Sequence, residues 1–198
     1  KPPTRAAPWT GDFITALSCL WSSLAGYISA QKTGKGQVID LAQFEAIHYL
    51  LSGTMVAYYE MGINQERGGN KAGLFQPYDV FQVKDGWVNI AALGNLFDRV
   101  CGVLGLEDIE GKWRNAQTDT QSIEGIEFDA ILRGWVEERN VDEVVKGIQR
   151  RRGGCSRIMY ARQMAENAHF KHGDIHVEWE DQQLGKKVKG VGVVPKFS

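Results

Sequence analysis

Cysteine is scarce in this chain: Cys19, Cys101 and Cys155 are the only three in 198 residues. No two of them form a CxxC pair, so the spacing excludes a zinc knuckle and a thioredoxin-type redox site. An odd, sparse set reads as reduced thiols, and the expectation is a cytoplasmic protein. Proline is nearly as rare, with five in all, three of them within residues 1–8, which read as an extended lead-in. A charge excess is missing too. Twenty-three basic residues face 24 acidic ones, for a net charge of −1. No global field draws the chain to nucleic acid or to an anionic membrane, and neither is expected as a partner. The most apolar long stretch, 46–59, is too short to span a bilayer and is interrupted by His48 and Ser52. No basic–apolar–small leader opens the sequence. It begins on Lys1 and its first methionine is Met55, so the expectation is a processed or trimmed chain, or a piece of something longer. Nucleotide-binding glycine motifs are absent: residues 32–36 lack P-loop spacing, and no GxGxxG opens a helix after a strand. There is no GxSxG elbow, so a serine hydrolase is not indicated.

What is present is ample for a core. Apolar residues make up 43% and charged residues 24%, the composition of a globule that needs no disulfide or metal staple. The length suits one large domain or two small ones. Six Trp, six Tyr and eight Phe suggest large buried or ligand-facing surfaces.

Periodicity then divides the chain. Phe13, Ile14, Leu17, Leu20, Trp21, Leu24 and Ile28 recur three or four apart, which predicts a helix over 13–31. Its second half has almost no charge, so burial on most of its circumference is expected, with Cys19 as core packing. Two glycines and two lysines in 32–36 suit a helix C-terminus. Residues 37–41 read as a short strand and 42–59 as a second helix. The polar, glycine-rich stretch 61–73 marks a boundary or an active loop. Two β-rich runs around Lys84-Asp85-Gly86 read as a hairpin. Helices are expected over 96–104, closed by Gly105, and over 128–138, 141–151 and 161–169. Strands are expected over 155–159, 175–179 and 187–194. The sum is α/β at the front and an α+β unit behind.

Few residues stand out chemically. His169, His172 and His176 lie near Glu166, Asp174 and Glu178, a set zinc would accept. His172-Gly-Asp breaks any helix that would align them, so a turn with surface histidines is the preferred reading and no metal is expected. Arg150, Arg151 and Arg152 read as a solvated helix end rather than a phosphate contact. Asp12 sits between a glycine and the start of the long helix. It can serve as an N-cap, accepting N–H bonds from the first turn. An ionised, half-buried carboxylate there can also act as nucleophile or base. The two readings are compatible.

Several of these pieces recur together in one known family. Gly11-Asp12, the long apolar helix, Lys32-Thr-Gly-Lys-Gly-Gln37, Ile39-Asp40-Leu-Ala42 and Glu45 resemble the core block of the class III CoA-transferases. That family includes the formyl-CoA, carnitine and bile-acid CoA-transferases and the α-methylacyl-CoA racemases. Arg67-Gly-Gly-Asn70, Gln76-Pro77, the Lys84-Asp85-Gly86 hairpin and Pro195-Lys196-Phe197 continue the similarity in the same order over nearly the whole chain.

The resemblance implies an internal fragment with three parts. Residues 1–65 would be a portion of a Rossmann-like large domain carrying the catalytic Asp. Residues 66–160 would form a small α+β domain, and 161–198 would return towards the large domain. It implies an acyl-CoA:carboxylate CoA-transferase in which Asp12 forms a mixed anhydride and then an aspartyl–CoA thioester. No bound cofactor is implied; a CoA thioester and a carboxylic acid acceptor are the substrates, and the CoA site lies mostly in a half that these residues do not include. A homodimer of interlocked chains is also implied.

The family's glycine-rich shielding loop matches Gly73, Leu74, Phe75 and Gln76. Leu74 and Phe75 stand where formyl-CoA transferases have glycines, which is closer to the carnitine, bile-acid and racemase branches. Gly68 and Gly69 supply hinge freedom instead. Lys32, Lys35, Asp40 and Glu45 read as structural. Two alternatives stand beside transfer: a racemase that uses Asp12 as acid–base, and a non-catalytic association module. In a fragment of this kind Trp21, Leu24 and Ile28 would meet water, so self-association is expected.

Overall fold

The computed structural model describes residues 9–73, 75–173 and 175–193. The chain divides into two compact units, Lys1–Gly69 and Asn70–Ser198, and the whole is a mixed α/β protein.

The first unit is helical. Helix α1 runs Thr10–Thr33, slightly longer than its periodicity predicts, and ends on Gly34, whose N–H donates to Ala30 O. Residues 35–42 follow without a strand, which corrects the expectation at 37–41. A strand needs a hydrogen-bonding neighbour, and no strand of this unit is present among the described residues; Val38 is 97% exposed. The helix expected over 42–59 is two, α2 (Gln43–Tyr49) and α3 (Ser52–Met61). At the break the Leu50 and Leu51 N–H groups bond only three residues back, to Ile47 O and His48 O. Ser52-Gly53-Thr54, poor helix formers, follow.

Burial is the main departure in this unit. Gly26 is the sole buried residue of α1, while Trp21 is 65% exposed, and Phe13, Leu17, Leu20 and Leu24 are also exposed. Cys19 is exposed as well, so it does not pack a core in this unit. Periodicity reports which face is apolar; it does not supply the surface that covers it. By length and composition alone α1 is apolar enough to cross a membrane, with a mean hydropathy of 1.4 over its best window. The most apolar stretch was expected elsewhere, at 46–59.

The second unit holds the core. Strands β1 (Tyr78–Val83) and β2 (Gly86–Ala91) form the expected hairpin, and β3 (Cys155–Arg157) pairs antiparallel with β2. Phe81 pairs with Val88, and Ile90 with Cys155. Alternation along the strands turns Phe81, Val83, Val88 and Ile90 inward. Helices α4 (Asn95–Leu104), α6 (Ile123–Glu137) and α7 (Val141–Arg150) complete the core. They contribute Phe97 and Val100, then Phe128, Leu132 and Val136, then Val144 and Ile148, all essentially inaccessible to water. Phe128 packs with its ring tilted against those of Phe97, centres 4.9 Å apart, and Trp113, at 6.3 Å.

Helix α7 starts with a reciprocal cap between Asn140 and Glu143. The hairpin turn docks there, because Asp85 Oδ1 accepts from Val141 N at 2.7 Å. A π-helical turn, Ile109–Trp113, and the short α5, Arg114–Thr118, have no counterpart among the elements expected from the sequence. The helix expected over 161–169 is α8 (Ala161–Glu166) and α9 (Ala168–His172), separated by Asn167, whose side chain accepts from His169 N. The last strands, β4 (His176–Asp181) and β5 (Lys186–Val191), pair as a hairpin.

Candidate active site

Asp12 is the third residue of α1. It is not the N-cap: that position falls to Trp9, in a left-handed conformation and without a side-chain bond to the helix. Asp12 is exposed in the first turn of the helix, at the positive end of the helix dipole. That end favours a carboxylate, and equally an oxyanion developing on anything the carboxylate attacks.

The preceding glycine has a geometric reason. A Cβ on Gly11 would lie 2.9 Å from Ile47 Cδ1 and 3.3 Å from Gln43 Nε2. Gly11 therefore lets α2 approach α1 beside Asp12. Thr15 Oγ1 donates to Gly11 O at 2.7 Å and braces the same turn. Gly26 receives the returning chain in the same way, since its Cβ would meet Ile39 Cδ1 at 3.0 Å and Gln37 Nε2 at 3.4 Å. The Thr33–Gln37 segment thus turns the chain at Gly34 and lays Gln37 and Ile39 back on α1. Lys32, Lys35, Asp40 and Glu45 are all exposed.

An open apolar groove of about 680 Å³ runs along α1, lined by Leu17 and Trp21 on one side and by Leu41, Tyr49 and Leu50 on the other. At roughly 100° per residue, Leu17 and Trp21 lie across the helix from Asp12. Asp12 shares its own face with Ala16, Cys19 and Ser23. The groove is therefore not a pocket that opens on the carboxylate.

The loop residues lie in the second unit. Gly73 is exposed and Leu74 lies outside the described residues. Phe75 is half-buried with its ring edge-on to Tyr78, centres 5.3 Å apart. Gln76 is 1% exposed and precedes a cis peptide to Pro77. The structure therefore brings Gly73, Phe75 and Gln76 together in one loop, while Asp12 belongs to the other unit.

Sequence reasoning missed a charged cluster beside this loop. Arg133 reaches Asp79 Oδ2 at 2.9 Å and Asp129 Oδ2 at 3.0 Å, and Lys71 lies 3.6 Å from the same Asp129 oxygen. Burial works against the Arg133 charge, but the bonds to Asp129 and Asp79 outweigh it and its pKa is raised. The Asp129–Arg133 pair has helical i,i+4 spacing, but nothing in the linear pattern marks Asp79 and Arg133, 54 residues apart, as partners.

The remaining candidates are placed as follows. The rings of His169 and His176 sit 5.8 and 5.9 Å from that of Phe170. No group of three potential metal ligands occurs among the described residues, and Asp174 lies outside them. Arg150 ends α7, and Arg152 O accepts from Arg99 Nη1 at 2.8 Å. Burial pushes the Cys155 thiol up to about 12. Burial, and then the Asp98 charge, do the same for Cys101.

Comparison with known proteins gives this geometry a context. Over its full length the chain is 30% identical to the bile acid CoA-transferase BaiK of Clostridium scindens, covering 46% of that protein. It is 26% identical to the succinyl-CoA–D-citramalate CoA-transferase of Chloroflexus aurantiacus, covering 50% of it. The chain spans about half the length of the curated relatives it matches. Among solved structures, its fold is similar to that of a CAIB/BAIF family protein from Brucella suis, with a TM-score of 0.71, 22% identity, and coverage of all of this chain and 51% of that one. Rv3272 from M. tuberculosis gives a TM-score of 0.77 at 16% identity, with the same coverage. The family model for CoA-transferase family III matches residues 1–198. Gly11-Asp12, the turn at Gly34 and the hairpin behind Gln76 are thus features of a chain that belongs to CoA-transferase family III.

Proposed function

We propose that this chain is the Asp-bearing part of an enzyme that moves CoA from an acyl-CoA to a carboxylic acid, with Asp12 as nucleophile. The observation that carries the reading is Asp12 itself: a carboxylate in the first turn of a 24-residue helix, in a chain matched throughout by the family. An Asp12 oxygen attacks the thioester carbonyl, the C–S bond breaks, and CoA leaves as thiolate with a mixed anhydride left behind. The thiolate attacks the aspartyl carbonyl and frees the donor acid, giving an aspartyl–CoA thioester. The acceptor carboxylate attacks that carbonyl in turn and expels the thiolate. The thiolate then attacks the acceptor carbonyl, forming acceptor–CoA and restoring the Asp12 carboxylate. Each step exchanges one acyl–oxygen or acyl–sulfur bond for another, so no redox partner is required. The N-terminal end of the α1 dipole favours the Asp12 carboxylate that each cycle starts from and restores. Water must be kept from the anhydride, a task that the family resemblance gives to the segment matched by residues 72–76.

In the same reading, the bare apolar face of α1 is a packing surface. It is covered in the whole enzyme by the half of a family-length protein that these 198 residues do not contain, or by a second chain. The test is transfer of CoA from a panel of acyl-CoAs to a panel of carboxylates, with Asp12→Asn alongside. Transfer abolished by Asp12→Asn supports the reading. Transfer that survives Asp12→Asn removes Asp12 from the chemistry. Exchange of an α-proton without transfer moves the chain to the racemase reading.

A further inference from the structure

We propose that Gln76 is a positioning residue, whose buried amide latches the loop 70–75 to the junction of α5 and α6. Its consequence for turnover rests on the transfer chemistry proposed above; the latch itself does not.

Glutamine is seldom buried this completely, and at this position the burial has a definite partner set. Gln76 Nε2 donates to Ala116 O at 2.9 Å and to Gly125 O at 2.7 Å. Its backbone N–H donates to Gln117 O at 2.9 Å. Ala116 and Gln117 lie in the last turn of α5, where carbonyls lack intrahelical donors. One residue therefore serves three carbonyls at the end of one helix and the beginning of the next. The amide orientation is fixed by chemistry, since the flipped side chain would set Oε1 against two carbonyl oxygens. Oε1 has no partner among the described residues, so the donor end carries the attachment.

The other end of the loop is tied independently. Ala72 N donates to Tyr78 O at 3.0 Å, closing the neck. Lys71 is held by Asp129, which is itself held by Arg133. Gly73 stands exposed between the two attachments. At 1% exposure the Gln76 side chain has no route to a substrate. It acts by fixing the C-terminal end of the loop.

The experiment is amide hydrogen exchange on the 198-residue chain with Gln76→Met and Gln76→Glu. Gln76→Met keeps length and loses the donor. The amide of residue 76, which donates to Gln117 O, and that of half-buried residue 75 are expected to exchange about tenfold or more faster, with β1, β2 and α6 unchanged. Gln76→Glu adds a pH signature. The protonated carboxyl donates one O–H bond, and the carboxylate donates none. Loop exchange, corrected for its intrinsic pH dependence, should therefore step up as that carboxyl ionises, and wild type should show no step. If Gln76→Met does not fold, Gln76→Glu on the acid side of its step carries the comparison. In turnover the latch predicts a lower kcat at unchanged KM, and a larger share of thioester lost to water. Unchanged loop exchange in Gln76→Met overturns the proposal. So does acceleration shared equally by β1, β2 and α6, because Gln76 would then be ordinary core. If an enzyme that contains this chain keeps its CoA transfer in Asp12→Asn, the transfer reading fails while the exchange data still decide the latch.

Discussion

Leu132 and Leu24 are the same residue type in opposite situations, and replacing each by alanine tests where this chain keeps its stability. Leu132 on α6 is 1% exposed, among Phe97, Phe128 and Val136. Leu24 on α1 is 53% exposed. Deleting a fully buried leucine side chain removes its transfer free energy and leaves a cavity, for roughly 2–5 kcal/mol. Leu132 lies in a core rich in aromatic and β-branched side chains, so about 3 kcal/mol is the working figure. With a urea slope of about 2 kcal/mol/M, the midpoint falls by about 1.5 M. A surface change costs about 0.5 kcal/mol or less, and alanine is the better helix former. Leu24→Ala should then move the midpoint by less than about 0.3 M. The assay is urea unfolding followed by tryptophan fluorescence, to which Trp113, 6% exposed against Phe128, contributes directly. It is run dilute enough to hold the chain monomeric. Equal shifts for the two variants would show that α1 is packed in the isolated chain, and would refute the exposure of its apolar face.

Of the three thiols, Cys19 should react with an aromatic disulfide reagent at once at pH 8, and Cys101 and Cys155 only on unfolding. Three fast thiols would contradict their burial. Both buried thiols have folded pKa values raised to about 12 from an ordinary value of 9.0. The unfolded chain therefore loses protons first, and the stability they contribute is complete below about pH 9 and lost as pH climbs towards 12. Cys101→Ala with Cys155→Ala should flatten that alkaline loss in a pH series of urea midpoints. Asn140→Ala removes the reciprocal cap of α7 and should cost about 1 kcal/mol in the same unfolding assay; no loss would mean that Asp85 alone suffices as a cap. The bare face of α1 predicts a concentration-dependent mass in gel filtration, reversed by Trp21→Glu with Leu24→Lys. A monomer at every concentration would remove the expectation of self-association.

Much of the second unit was legible because its signals are local. Lys84-Asp85-Gly86 between two alternating runs placed the hairpin, Gly105 the end of α4, and Asp142 with Arg150 the polarity of α7. The 109–118 region was not legible, because helices of five residues have no period to read and Trp113 is held by partners distant in sequence. The strand expected at 37–41 failed for a related reason: pairing is a property of two segments, and the sequence shows one. The burial expected for α1 depends on a covering surface, which no periodicity contains. At the site, the order and spacing from Gly11-Asp12 to Gly34-Lys-Gly-Gln37 carried the family resemblance, and the structure supplies their packing roles. Gln76 was legible as part of the loop. Its commitment to Ala116 and Gly125, 40 and 49 residues away, was not.

The central claim concerns one carboxylate, and peptide mass spectrometry addresses it directly. The chain, supplied with the half of a family-length protein that carries the CoA site, is incubated with an acyl-CoA, quenched, treated with hydroxylamine and digested. A hydroxamate on Asp12 is predicted, dependent on the thioester and absent from Asp12→Asn. Modification at another carboxylate, or catalysed CoA transfer with Asp12 unmodified, would contradict the claim.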